Sequence, residues 1–148
     1  MSKIRLTKEF HFEMAHALWN YNGSCKSIHG HSYKLFVTLL GEPVNNLNDP
    51  KNGMVADFSE IKKWIKLPVL DQLDHALLIS NDAKTENLLP VSQMFDKLKI
   101  VDYQPTCENL LIDIVQKIKP LIPDNLILHS VKLCETATSY AEWFASDN

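Results

Sequence analysis

His29-Gly30-His31 is a pair of imidazoles separated by one residue. On an extended chain the side chains at i and i+2 leave the same face, roughly 6.5–7 Å apart at the backbone. Both rings can then converge on one metal ion. His16, thirteen residues before His29, supplies a third imidazole. Three nitrogen ligands with one position left free are the pattern of a catalytic zinc, whereas a structural zinc closes four. Cys25 is near enough in sequence to reach whatever binds at the free position. It can act there as a base or nucleophile, close the site as a fourth ligand, or simply pack as a small apolar residue of the loop.

Other residues could join this chemistry. Asp74-His75 is an adjacent acid–base pair whose side chains cannot point the same way in a regular strand or helix. It reads equally as a helix cap followed by a surface histidine. Glu135 continues an apolar alternation into a region that should be covered, so its carboxylate needs a cationic or ligand partner.

The elements that position these residues follow from periodicity. Residues 3–16 alternate as a strand, with Ile4, Leu6, Phe10, Phe12, Met14 and His16 on one parity. Lys8 falls on the apolar parity, so a bulge is expected near Thr7-Lys8. Residues 29–41 form a second strand, central and covered on both sides toward its end. The two make an antiparallel hairpin around an Asn/Gly-rich loop. Met54-Val55-Ala56 can be a short strand. Asp57 and Glu60 begin a helix of capping-box type with Phe58, Ile61, Trp64 and Ile65 on one face, stopped by Pro68. Residues 79–104 lack clean periodicity. Thr106 caps a helix over 106–119 whose stripe is Leu110, Leu111, Ile114, Val115 and Ile118. Ile127, His129, Val131, Leu133 and Glu135 mark a third strand, and Tyr140 to Ala145 a fourth. The expected fold is α+β, a four-stranded antiparallel sheet with two helices on one face, as a single domain over 1–148. Its edge strands favour closure through neighbouring subunits.

At 148 residues the chain has room for one domain with a real core. The formal charge is -3 and the lysines are scattered, which argues against nucleic-acid binding. No apolar run approaches the roughly eighteen residues of a membrane span. No signal sequence is expected, and three cysteines form no paired framework, so a cytoplasmic location is expected.

Six motifs occur in one order: Phe12-Glu13-Met14-Ala15-His16, Cys25 with His29-Gly30-His31, Val55-Ala56-Asp57-Phe58, Leu73-Asp74-His75, Pro105-Thr106-Cys107-Glu108-Asn109 and Cys134-Glu135-Thr136. Together they resemble the 6-pyruvoyl-tetrahydropterin synthase family. The three residues between Cys25 and His29 resemble its 6-carboxy-5,6,7,8-tetrahydropterin synthases of queuosine biosynthesis; the pyruvoyl-forming enzymes usually have a longer gap. The resemblance implies a T-fold whose subunits join their sheets into a barrel, commonly as a homo-oligomeric hexamer. It implies 7,8-dihydroneopterin triphosphate as substrate, with 6-carboxytetrahydropterin, acetaldehyde and triphosphate as products. It implies Zn2+ on His16, His29 and His31, catalysis by Cys25, Asp74 and His75, and pterin binding by Glu135, with Thr106 and Glu108 near the pocket. Lys26, Lys34 and Lys132 are candidates for the triphosphate only by proximity to motifs. The segment between Leu78 and Pro105 is longer than in compact members. Two other readings share these residues: a pyruvoyl-forming enzyme, and a non-catalytic zinc- or pterin-binding protein of the same fold.

Overall fold

The computed structural model describes residues 2–83 and 85–148. Met1, in the N-terminal segment, and Lys84, in the segment of unclear periodicity, lie outside the described residues. Strands β1 (Ile4–Ala17) and β2 (His29–Gly41) form the expected hairpin. Their ladder runs without a shift from Ile4 opposite Gly41 to His16 opposite His29. The bulge expected near Lys8 is therefore not there. Lys8 keeps its place on the apolar parity because its ammonium lies 5.7 and 5.5 Å from the ring centroids of Phe10 and Phe58, with its stem along the apolar surface.

From Asp57, whose carboxylate accepts from Ser59 N at 2.7 Å, the chain enters α1 (Phe58–Ile65). The reciprocal arm of the capping box is not made, because Glu60 pairs with Lys51 Nζ at 2.6 Å. Ile61 and Ile65 are buried, but Phe58 is exposed. Pro68 does not stop the chain. A π-type turn over Lys66–Leu70 accommodates the missing N–H and leads into the single turn α2 (Asp71–Leu73). The short strand expected at Met54–Ala56 is instead an irregular turn, closed by Val44 N to Met54 O (2.9 Å) and Gly53 N to Val44 O (2.7 Å). Gly53 sits there at φ +85°, where a side chain would be strained.

The four-stranded antiparallel sheet is corrected to a six-stranded mixed one. β3 (Ala76–Ser80) and β4 (Leu98–Val101), linked by α3 (Thr85–Met94), add parallel to the β1 edge. β3 is hidden from periodicity because Ala76, Leu78, Ile79 and Ser80 are all buried. A strand covered on both faces shows no alternation. After α4 (Cys107–Ile118), capped by Thr106, come β5 (Ile127–Cys134) and β6 (Tyr140–Phe144). The strand order is β4-β3-β1-β2-β5-β6.

β5 carries the bulge that β1 lacks. Thr38 pairs with Ser130 and Leu39 with Leu128, so His129 is extra. The expected alternation Ile127–His129–Val131 breaks there: Leu126 and Leu128 are buried on one side of the bulge, and Val131 and Leu133 on the other. One face of the sheet, bearing Phe12, Tyr33, Leu35, Val37 and Leu133, is covered by α1 and α4 through Ile61, Ile65, Leu110 and Ile114. The opposite face of β1 exposes Arg5, Thr7, Glu9 and His11. No helix among the described residues is long and apolar enough to cross a membrane.

Candidate active site

The helix-covered face changes character along β2. Leu39, Val37, Leu35 and Tyr33 are fully buried, and the same parity continues into His31 and His29. His16 is on the matching parity of β1, directly opposite His29. Three imidazoles thus stand together where the apolar core ends, their potential ligand atoms within 4.8 Å of one another.

Backbone carbonyls constrain the tautomers of the cluster. His16 Nδ1 lies 2.7 Å from the Pro105 carbonyl, and His29 Nδ1 2.7 Å from the Ser27 carbonyl. A carbonyl only accepts, so each Nδ1 carries a proton, and the lone pair of the uncharged form of each ring is then at Nε2. Those two Nε2 atoms are 3.1 Å apart. Facing lone pairs repel, and the arrangement is favourable with a cation between them. Burial holds the His16 pKa below its ordinary value, which keeps its lone pair free. His31 Nε2 is buried without a hydrogen-bond partner, since Glu135 Oε1 at 3.6 Å is too distant to serve. The donor set fits a metal ion, with the carbonyls acting as the outer partners that orient ligating histidines. Cys25 stands outside this convergent group.

Beside the cluster is a cavity of about 350 Å³, lined by His16, Tyr21, Cys25, Thr106, Glu108 and Glu135 among others. Cys25 comes from a 3-10 turn, Ser24–Lys26, in the hairpin loop. Glu135 follows the end of β5, its N–H bonded to Ser139 O at 3.0 Å. Thr106 and Glu108 come from the start of α4, where the Thr106 hydroxyl accepts from Asn109 N at 3.3 Å. Cys107 also lines the cavity, but burial, and then the Glu135 carboxylate, push its thiol up to about 12. At neutral pH it stays protonated and is no base.

Asp74 and His75 are not in this cavity. They stand across β1, where His75 lines two other clefts, one with His31 and one with Phe95. As adjacent residues they still meet, because His75 adopts φ +60° and folds its ring back. Its Nδ1 lies 3.1 Å from Asp74 Oδ1, which also accepts from Glu13 N at 2.9 Å. Those bonds, the Glu13 one foremost, hold the Asp74 carboxyl below the usual carboxylate range. A left-handed backbone at a non-glycine residue costs roughly 1–3 kcal/mol and here makes the pair possible. Of the lysines, none of Lys26, Lys34 and Lys132 lines the cavity; Lys132 Nζ lies over the Tyr140 ring at 3.5 Å.

Sequence reasoning missed Tyr21 on the cavity wall and, around the imidazoles, the Pro105 and Ser27 carbonyls and Tyr33. Tyr33 packs edge-on against His16 and His31, with ring centroids at 6.4 and 5.7 Å, and its parity two residues beyond His31 was the available signal.

The profile of the family described as 6-pyruvoyl tetrahydropterin synthase matches residues 5–146. A 6-carboxy-5,6,7,8-tetrahydropterin synthase of Haemophilus influenzae is 33% identical over 142 residues, covering 95% of this chain and 98% of that protein. The Aquifex aeolicus protein of the same name is 30% identical, with 95% and 98% covered. Among solved structures, an uncharacterized protein from Wolinella succinogenes shares the fold at TM-score 0.82 and 22% identity, with 98% and 99% covered. The 6-pyruvoyl tetrahydropterin synthase of Caenorhabditis elegans aligns at TM-score 0.70 and 26% identity, with 98% and 97% covered.

Proposed function

Since the chain belongs to the 6-pyruvoyl tetrahydropterin synthase family, we propose that it is a zinc-dependent 6-carboxy-5,6,7,8-tetrahydropterin synthase. It converts 7,8-dihydroneopterin triphosphate and water to 6-carboxytetrahydropterin, acetaldehyde and triphosphate, a step of queuosine biosynthesis. The observation that carries this reading is the meeting of Cys25, Glu135 and His16 on one cavity. The names of the relatives in Haemophilus influenzae and Aquifex aeolicus support the carboxy product over the pyruvoyl one.

Glu135 anchors the pterin. Its carboxylate accepts two hydrogen bonds from the ring's amino group and adjacent N–H, which fixes the ring in the cavity. The substrate side chain then extends toward His16, His29 and His31. These three imidazoles would hold zinc, which would supply a Lewis acid for the side-chain oxygens. Cys25 takes a proton from a side-chain carbon. Asp74, ionised, orients His75, which gives a proton in one step and removes one in another.

Because His75 opens away from the Cys25 cavity, a second subunit would bring this pair to it. We therefore infer a homo-oligomer, a hexamer in keeping with the T-fold resemblance, in which sheets join edge to edge into a barrel. The activity is assigned to the cytoplasm, and three free cysteines support a reducing compartment. The deciding experiment incubates the zinc-loaded protein with 7,8-dihydroneopterin triphosphate and measures acetaldehyde. Its stoichiometric release is expected. Triphosphate release without acetaldehyde would transfer the chain to the pyruvoyl-forming reaction, and no turnover would favour a binding protein.

A further inference from the structure

We propose that Gln104 is a positioning residue for the loop that carries Cys25; the catalytic part of this inference rests on the function proposed above. Residues 18–28 leave the sheet between β1 and β2, and little of that loop is held by burial. Trp19 is 44% exposed and Tyr21 49%. Backbone contacts hold the neck, with Leu18 N bonded to Cys25 O at 2.8 Å. The next residue is held by a side chain distant in sequence. Gln104 Oε1 accepts from Trp19 N at 3.0 Å, and Gln104 Nε2 donates to Trp19 O at 2.7 Å. Both polar groups of one backbone residue are thus satisfied by a single amide, much as a neighbouring strand would satisfy them. Only an amide side chain offers a donor and an acceptor side by side in this way.

The clamped residue is where the loop's course is set. Asn20 follows at φ +57° and reverses the chain. Tyr21 then returns over Gly23, where a Cβ would lie only 2.6 Å from Tyr21 Cε1. Tyr21 and Cys25 end up as walls of the same cavity. A shift at Trp19 therefore passes to both.

The base of the clamp is itself fixed to the metal centre. Gln104 O accepts from Asn109 Nδ2 at 3.0 Å within the first turn of α4. The next residue, Pro105, gives the carbonyl that orients His16, and Thr106 caps the helix. One three-residue run therefore registers the Cys25 loop against a metal ligand. Gln104 makes no contact with the reacting atoms; it sets where Cys25 stands relative to them.

Gln104→Met, which keeps length and loses both hydrogen bonds, and Gln104→Ala test this in the full-length, zinc-loaded protein. Metal content and thermal midpoint should remain close to wild type, because the His16–Pro105 contact is backbone-borne. Hydrogen exchange at the Trp19 amide should accelerate on the order of tenfold or more. The kcat should fall on the order of tenfold to a hundredfold while KM changes by less than about threefold, as expected for misplacement of a reacting group rather than loss of substrate binding. Wild-type exchange at Trp19, wild-type kcat in Gln104→Met, or a kcat loss matched by loss of metal would each overturn the proposal. Exchange is measured in all three proteins regardless of turnover. A wild type without turnover would refute the proposed function, and exchange alone would then decide whether the clamp exists.

Discussion

Tyr33→Phe should stabilise the metal-free protein. The Tyr33 side chain is 1% exposed, and its hydroxyl is buried without a hydrogen-bond partner among the described residues. A hydroxyl taken from water and left unpaired costs roughly 1–3 kcal/mol. Phenylalanine removes that cost and keeps the ring, which stacks on Phe12 with centroids 5.0 Å apart and planes 7° from parallel. The expected gain is therefore about 1–3 kcal/mol, worth about 2–4 °C in melting temperature per kcal/mol for a chain of this size. The gain should widen at alkaline pH. Burial first, and then the Glu135 carboxylate, raise the Tyr33 pKa above its ordinary value. Below the unfolded-state value of about 10 both states are neutral and stability is fully present. Above it the unfolded chain ionises while folded Tyr33 does not, so stability is lost as pH rises. Tyr103, also raised by burial, contributes equally in both proteins and cancels in the comparison. Urea melts of both proteins at matched chain concentration, at about pH 7.5 and about pH 10.5, measure both effects. Equal or lower stability of Tyr33→Phe at neutral pH would refute the reasoning and mean that the hydroxyl is paired.

Three further outcomes bear on the site. Cys25→Ala should keep about one zinc per chain and lose turnover, whereas His31→Ala should lose metal affinity on the order of tenfold or more, both read by metal analysis after dialysis; loss of zinc from Cys25→Ala would make the cysteine a ligand. Asp74→Asn should lower kcat on the order of a hundredfold. In the wild type the Asp74 carboxylate, held below the usual range, keeps supporting His75 until pH falls through its lowered pKa, so the contribution persists to lower pH than an ordinary aspartate would allow. A pH–rate profile of the two proteins checks this, and an unchanged kcat in Asp74→Asn would remove the pair from the mechanism.

The imidazole cluster was legible because strand parity alone puts His16, His29 and His31 on one face, and the hairpin register then brings them together. The α4 cap at Thr106 and its buried stripe were legible for the same kind of reason. What failed was whatever depends on long-range covering or on extra residues. Leu77, Leu78 and Ile79 make a continuous apolar run that alternation cannot assign, so the parallel strands were missed. His129 shifts the phase of β5, yet Glu135 lies beyond the bulge and keeps its predicted face. The Asp74–His75 pair depends on one left-handed residue, which no periodicity reports. Its distance from the Cys25 cavity is likewise a property of three-dimensional placement, invisible to motif order.

The unshifted ladder between β1 and β2 has a consequence for how such a chain can vary in length. A slip of one residue would turn Phe10, Phe12 and Met14 outward together with His16. Core formation and ligand placement therefore enforce the same alignment, and a sequence that folds at all has its imidazoles converged. Insertions and deletions are excluded from Ile4–Ala17 and His29–Gly41 by both demands at once. They remain open to the segments between the strands. The loop at 18–28 is one of these, and it holds the cysteine. A change in its length can re-aim the thiol while leaving the imidazole cluster untouched, so new chemistry can be tried there without putting the fold at risk.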